Sequence, residues 1–217
     1  MRDRKIIVET TLFFLGALAL VWAVRNLSPA VAGQSWWLIP FIWVSAACLP
    51  ELRIQTTWLS RRGLAGSPGL VLKQVGLLSL IVFPVFGMGY LLIFTGGLVP
   101  PKGFYLPDTF FGTLFYQVVY IGLSEELFFR GYLQQRLDVY FGRPFRVFGA
   151  DVGWGLILSN FFFAAGHWVV SGNPVQMDVF IPGLLFGWLQ ARTGAVAAPA
   201  LFHGLCNTVL MTLREWS

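Results

Sequence analysis

The sequence is poor in charge. Of its 217 residues only 12% are Asp, Glu, Lys or Arg, about half the share of a soluble globular chain. That scarcity excludes an ordinary soluble domain. Histidine and cysteine are scarce too, with two of each. Cys48 and Cys206 lie inside apolar segments without a Cys-x-x-Cys spacing, so they read as packing residues. There is no His-Glu-x-x-His helix signature of zinc proteases. The absence of internal repeats and of paired broken helices argues against a transporter built on buried Glu and His. The net charge of +5 forms no basic patch within a soluble fold, so nucleic acid is excluded as a partner and the basic excess reports membrane topology.

What is present is apolar. Hydrophobic residues make up 56% of the chain and the mean hydropathy is +0.69. Several windows reach the roughly 20 apolar residues needed to cross a bilayer. Seven segments are expected to be membrane helices, at about 6–25, 35–50, 73–95, 108–131, 152–171, 177–191 and 195–213, the second and sixth being short. "MRDRK" before the run Ile6–Val24 imitates a signal peptide, with "AVA" following at 30–32. The run is longer than a signal core, which points to an uncleaved first helix. With the N-terminus cytoplasmic, Arg25, Lys102 and Arg214 fall outside and the other twelve of fifteen Lys and Arg fall inside, as the positive-inside rule requires. The expected fold is all-α: a polytopic membrane helical bundle forming a single membrane-embedded domain over 1–217. "RIQTTWLSRRGL" (Arg53–Leu64) and "DVYFGRPFRVFG" (Asp138–Gly149) mix aromatics with arginines, a pattern that predicts one or two interfacial amphipathic segments.

Against this background the polar residues stand out. An ionisable group at the centre of a membrane helix costs about 2.5–3.5 kcal/mol on insertion scales, so its presence points to function. The fourth segment holds Glu125, Glu126 and Arg130, the fifth Asn160 and His167, the seventh His203 and Asn207. Glu126 and Arg130 are four apart and pair on one helix face. Glu125 points about 100° away and is left for chemistry. His203 and Asn207, also four apart, are expected to present an imidazole and an amide side by side. Asn160 reads as a helix–helix hydrogen-bonding residue. A carboxylate in a low-dielectric cavity is a usable general base for water, a histidine can orient that water, and paired N–H groups can stabilise an oxyanion. The set reads as hydrolysis of an acyl bond, a peptide bond above all, at a membrane-embedded site.

"EELFFR" fits E-E-x-x-x-R, "FAAGH" (Phe163–His167) fits F-x-x-x-H and "HGLCN" (His203–Asn207) fits H-x-x-x-N. In that order, on successive apolar segments, these motifs resemble the CAAX prenyl protease type II family of intramembrane proteases, also called Abi or CPBP, over about 108–213. The resemblance implies a helical bundle with a conical cavity and water activated by glutamate rather than metal. Carried onto this chain, Glu125 is the general base assisted by His167, His203 and Asn207 form the oxyanion site, and Glu126 and Arg130 support them. It also implies a membrane-anchored protein or peptide substrate cut by an endopeptidase at the lipid bilayer, with no cofactor favoured. The short chain and tight loops point to a minimal module of a bacterial inner membrane. A zinc-dependent version would use Glu125, His167 and His203. A Ser124 nucleophile with His203 as base would resemble rhomboid proteases, but there the H-x-x-x-N precedes the serine. A non-enzymatic membrane binding or immunity protein is the remaining alternative.

Overall fold

Glycines close the helices of this chain. Gly96, Gly172 and Gly194 each take the left-handed conformation, at φ 72°, 69° and 68°, immediately after a long helix, where a side chain would be strained. The structure, a computed structural model, describes residues 2–52, 64 and 66–217. Apart from Leu64, the expected interfacial segment Arg53–Leu64 lies outside the described residues. In chain order the helices are α1 (Arg2–Asn26), the single turn α2 (Pro29–Ala32), α3 (Ser35–Leu52) and α4 (Pro68–Thr95). A composite helix α5 follows over 110–141, then α6 (Trp154–Ser171), α7 (Phe180–Thr193) and α8 (Ala197–Trp216). A 3-10 turn, Pro174–Val179, leads into α7.

Long helical stretches stand at all seven expected positions. Among the described residues three helices are long and apolar enough to cross a membrane: Ile7–Asn26, Pro68–Thr95 and Trp154–Ser171. Ser35–Pro50 is apolar but shorter. The chain is an integral membrane protein in which α4 is the most exposed of these helices. Leu80, Ile81 and Ile93 lie on its open faces at 66–78% exposure, suited to lipid rather than to a protein partner.

Helix α5 is not a plain α-helix. Its α-turns (Phe110–Tyr116, Leu123–Glu126, Gln135–Phe141) alternate with π-turns (Gln117–Gly122, Leu127–Gln134). It lies in the middle of the bundle, against α8, α6, α3 and α7. Phe128, Phe129 and Tyr132 are buried there. Trp43 of α3 packs on both phenylalanines, 5.0 Å from each ring centroid.

The chain is mostly helical, as an all-α membrane protein should be, but the expected interfacial segment Asp138–Gly149 divides into a helix end and a short hairpin. Gly142, at φ 74°, stops α5, and Phe145–Val147 (β1) then pairs antiparallel with Ala150–Val152 (β2). Phe148 and Gly149 both have positive φ, the signature of a two-residue hairpin loop. Trp188 Nε1 donates to the Val147 carbonyl at 2.9 Å and Arg192 to that of Gly149 at 3.2 Å. The hairpin is thereby fastened to the end of α7.

The crossing of α5 and α8 depends on small residues. A Cβ on Gly204 would fall on Val118 Cγ2 and within 2.7 Å of its backbone, and one on Gly122 would overlap the Ala200 carbonyl. Such close backbone approach is a recurrent basis of helix association in membranes. Gly204→Ala is expected to lower stability by about 1–3 kcal/mol through overpacking. Gly76→Ala, with nothing within 4 Å of its Cβ, is expected to keep or raise stability because alanine is the better helix former. Thermal unfolding of both variants in detergent checks the contrast.

Candidate active site

Glu126, Arg130, Gln134 and Asp138 recur at every fourth position of α5, and all four are buried. In an ideal α-helix a four-residue spacing drifts by about 40° per step, enough to carry such a stripe off one face. The π-turn Leu127–Gln134 holds more residues per turn and counters that drift.

Arg130 is the centre of the stripe. Its Nη1 donates to Glu126 Oε1 at 3.0 Å, and its Nη2 to the Gly183 carbonyl at 2.9 Å and to Asn160 Oδ1 at 3.3 Å. The guanidinium lies over the Phe163 ring, 4.5 Å from its centroid, a favourable cation–π placement. Asn160 donates in turn to the Phe180 carbonyl at 2.7 Å, which bears out its expected role between helices. Gln134 repeats the motif one turn on, donating to the Gly187 carbonyl at 3.1 Å. Asp138 ends the stripe on Arg143 at 2.8 Å. Glycines make these approaches feasible: a Cβ on Gly183 would overlap Asn160 Oδ1, and one on Gly187 would stand 2.8 Å from Gln134 Oε1.

The two histidines are held differently. His203 Nδ1 donates to Glu126 Oε1 at 3.0 Å, so one carboxylate oxygen serves both Arg130 and His203. The His203 ring stacks on Phe186, with centroids 4.8 Å apart. His167 Nδ1 lies 3.0 Å from the Phe163 carbonyl. A carbonyl only accepts, so Nδ1 carries a proton, and in the neutral ring Nε2 is the acceptor. Phe163 stands between the imidazoles, 4.6 Å from the ring of His167 and 5.9 Å from that of His203. Glu125 is half-buried. Its Oε2 is buried and accepts no hydrogen bond among the described residues.

Glu126 and Arg130 pair as the spacing predicts. His203 and Asn207 turn to different partners, His203 to Glu126 and Asn207 Nδ2 to Gln117 Oε1 at 2.9 Å. Ser124 donates its hydroxyl to the Tyr120 and Ile121 carbonyls of its own helix, and no contact with His203 readies it as a nucleophile. Among the described residues no group of three or more His, Cys, Asp or Glu side chains stands together in a way that could hold a metal ion, the zinc set Glu125, His167 and His203 included. Gln117, Gln134, Gly183 and Gly187 are functional neighbours that the motifs do not mark. The four-residue recurrence along α5 and the Gly-x-x-x-Gly of "GLLFG" in α7 carry a signal for three of them.

Arg130→Met would leave Glu126 as a buried charge without its cation, and is expected to cost about 3–5 kcal/mol of stability. Arg130→Lys keeps the charge but replaces a planar fork by a point donor. It is expected to fall between the native protein and Arg130→Met. Denaturant unfolding in micelles orders the three.

Residues 107–209 match the model of the Rce1-like family, described as type II CAAX prenyl endopeptidases. That span contains Glu125, Glu126, Arg130, His167, His203 and Asn207, together with the helices α6 and α7 that fasten them. Comparison with curated proteins and with solved structures gives no match. Three ordered motifs, a buried ion network joining four helices and the family match over 107–209 agree in supporting the CAAX prenyl protease type II family, a family of peptide hydrolases, as the one this span is similar to.

Proposed function

We propose that this chain is an intramembrane endopeptidase that cleaves a membrane-anchored protein or peptide with water activated by Glu125. The carrying observation is the division of labour between adjacent glutamates. Glu126 is fully buried and its Oε1 is bound by both Arg130 and His203, whereas Glu125 is half-buried and held by neither; Oε2 of each carboxylate is buried without a hydrogen bond among the described residues. A carboxylate so engaged is a poor base, and its neighbour is free to be one.

In this reading Glu125 removes a proton from water, and His167 accepts the second water hydrogen at Nε2 to orient it. The water oxygen adds to the scissile carbonyl carbon. Negative charge then develops on the carbonyl oxygen, and an Asn207 N–H donates to it, joined by the Nε2–H when His203 is an imidazolium. With Glu126 bound to its Nδ1–H, His203 is held in a fixed orientation for that donation. The protonated Glu125 passes its proton to the departing nitrogen as the C–N bond breaks, and the carboxylate is restored. No metal takes part. The reading includes a cytoplasmic N-terminus in a bacterial inner membrane, supported by the Lys and Arg bias of the loops.

The test is a survey of new protein termini in membranes of cells expressing the native chain or Glu125→Gln at matched levels. Loss of a general base is expected to slow cleavage by about 10²–10⁴-fold, so product termini should be present with the native chain and missing with the variant. Identical termini in both would sink the assignment.

A further inference from the structure

Gln117 has no part in the chemistry above, yet it is 6% exposed within an apolar helix. Its Oε1 accepts from Asn207 Nδ2 at 2.9 Å, and its Nε2 faces Met211 Sδ at 3.7 Å. Both contacts are to α8. Gln117 and Glu126 stand nine positions apart on α5, about two and a half turns of ideal α-helix, which would set them on opposite faces. The π-turn Gln117–Gly122 widens the helix between them. As a result both reach the same face of α8, Gln117 at Asn207 and Glu126 at His203. The tight crossing at Gly122 and Gly204 holds the two helices at that separation.

The amide of Asn207 has two N–H bonds, and Gln117 takes one. Further along α8 lies a cavity of about 250 Å³ lined by Thr113, Thr208, Met211 and Thr212 among others, and by neither member of this pair. Met211 thus touches Gln117 and also lines the cavity. An Asn207 amide without its acceptor would lose the one side-chain bond that fixes its orientation among the described residues.

We propose that Gln117 is a positioning residue for the hydrolytic reaction, fixing the Asn207 amide so that its second N–H is directed at the developing oxyanion. The inference rests on the endopeptidase reading. Its test uses purified protein in nanodiscs and a synthetic peptide spanning a cleavage site recovered from the survey of termini. Gln117→Leu removes the acceptor at similar volume. It is expected to lower kcat about tenfold or more, short of the 10²–10³-fold typical for deleting an oxyanion donor, with KM and the unfolding midpoint little changed. Gln117→Glu, which keeps an acceptor oxygen at the same reach, should restore most of the lost kcat. In an Asn207→Ala background Gln117→Leu should have almost no further effect, because the two side chains act as one unit.

Native kcat in Gln117→Leu, no recovery in Gln117→Glu, or independent multiplying losses in the double variant would each overturn the proposal. A Glu125→Gln protein that cleaves the peptide at the native rate would instead defeat the assigned base, which is a separate result. No cleavage by the native protein would defeat both.

Discussion

A guanidinium buried in the middle of an apolar bundle governs how four helices meet. Arg130 is fully enclosed, and a charge in that position is tolerable only if it is neutralised and well supplied with acceptors; both Nη atoms are bound here, while Nε has no partner among the described residues. Glu126 supplies the charge from α5 itself, Asn160 an acceptor from α6, the Gly183 carbonyl one from α7, and Phe163 an aromatic face. Glu126 then extends the network to His203 on α8. Displacing any one of these helices would strip a partner from a charge that has no access to water. The glycines at 183, 187 and 204 are secondary to that demand, since they allow the backbones close enough for the bonds to form.

Two of the helices that meet at Arg130, α6 and α7, are short for a membrane. At about 1.5 Å per residue, the 14 residues of α7 and the 18 of α6 come to roughly 21 and 27 Å, against a hydrocarbon core of about 30 Å. Helix α4, with 28 residues, is longer than that core and holds none of the site residues. Short helices bring polar headgroups, and the water among them, closer to the side chains they hold. The hairpin at the end of α7 and the 3-10 turn at its start supply hydrogen-bonded backbone where helix alone does not reach.

Much of the site was legible because its motifs are local. Glu126 and Arg130 are four apart, and helix geometry alone pairs them. The histidines and Asn207 are conspicuous as polar residues in apolar runs. What sequence could not convey is which side chain each meets on another helix. His203 and Asn207 share a face of α8, yet one finds Glu126 and the other Gln117, because the partners are set by how α5 is wound. The π-turns leave no periodic signal, since the apolar residues around them keep the hydrophobic character of an ordinary helix. The hairpin was missed for a related reason: arginines and aromatics between Asp138 and Gly149 suit a headgroup-bound helix, and only the backbone of Gly142 and of the Phe148–Gly149 turn decides otherwise.

The wide turns of α5 also govern which changes of chain length the protein can absorb. A π-turn closes its hydrogen bond one residue later than an α-turn, so each contains, in effect, one residue more than a regular helix needs. Removing a single residue from 118–122 would let the helix relax to ordinary winding with the stretches on either side close to their present orientation, whereas removing one from an α-turn would rotate everything before the cut by about 100°. The first deletion would leave Gln117 and Glu126 near the same face of α8, and the second would turn them apart. For this helix, then, the winding between Gln117 and Glu126 is as much a part of the site as the residues themselves.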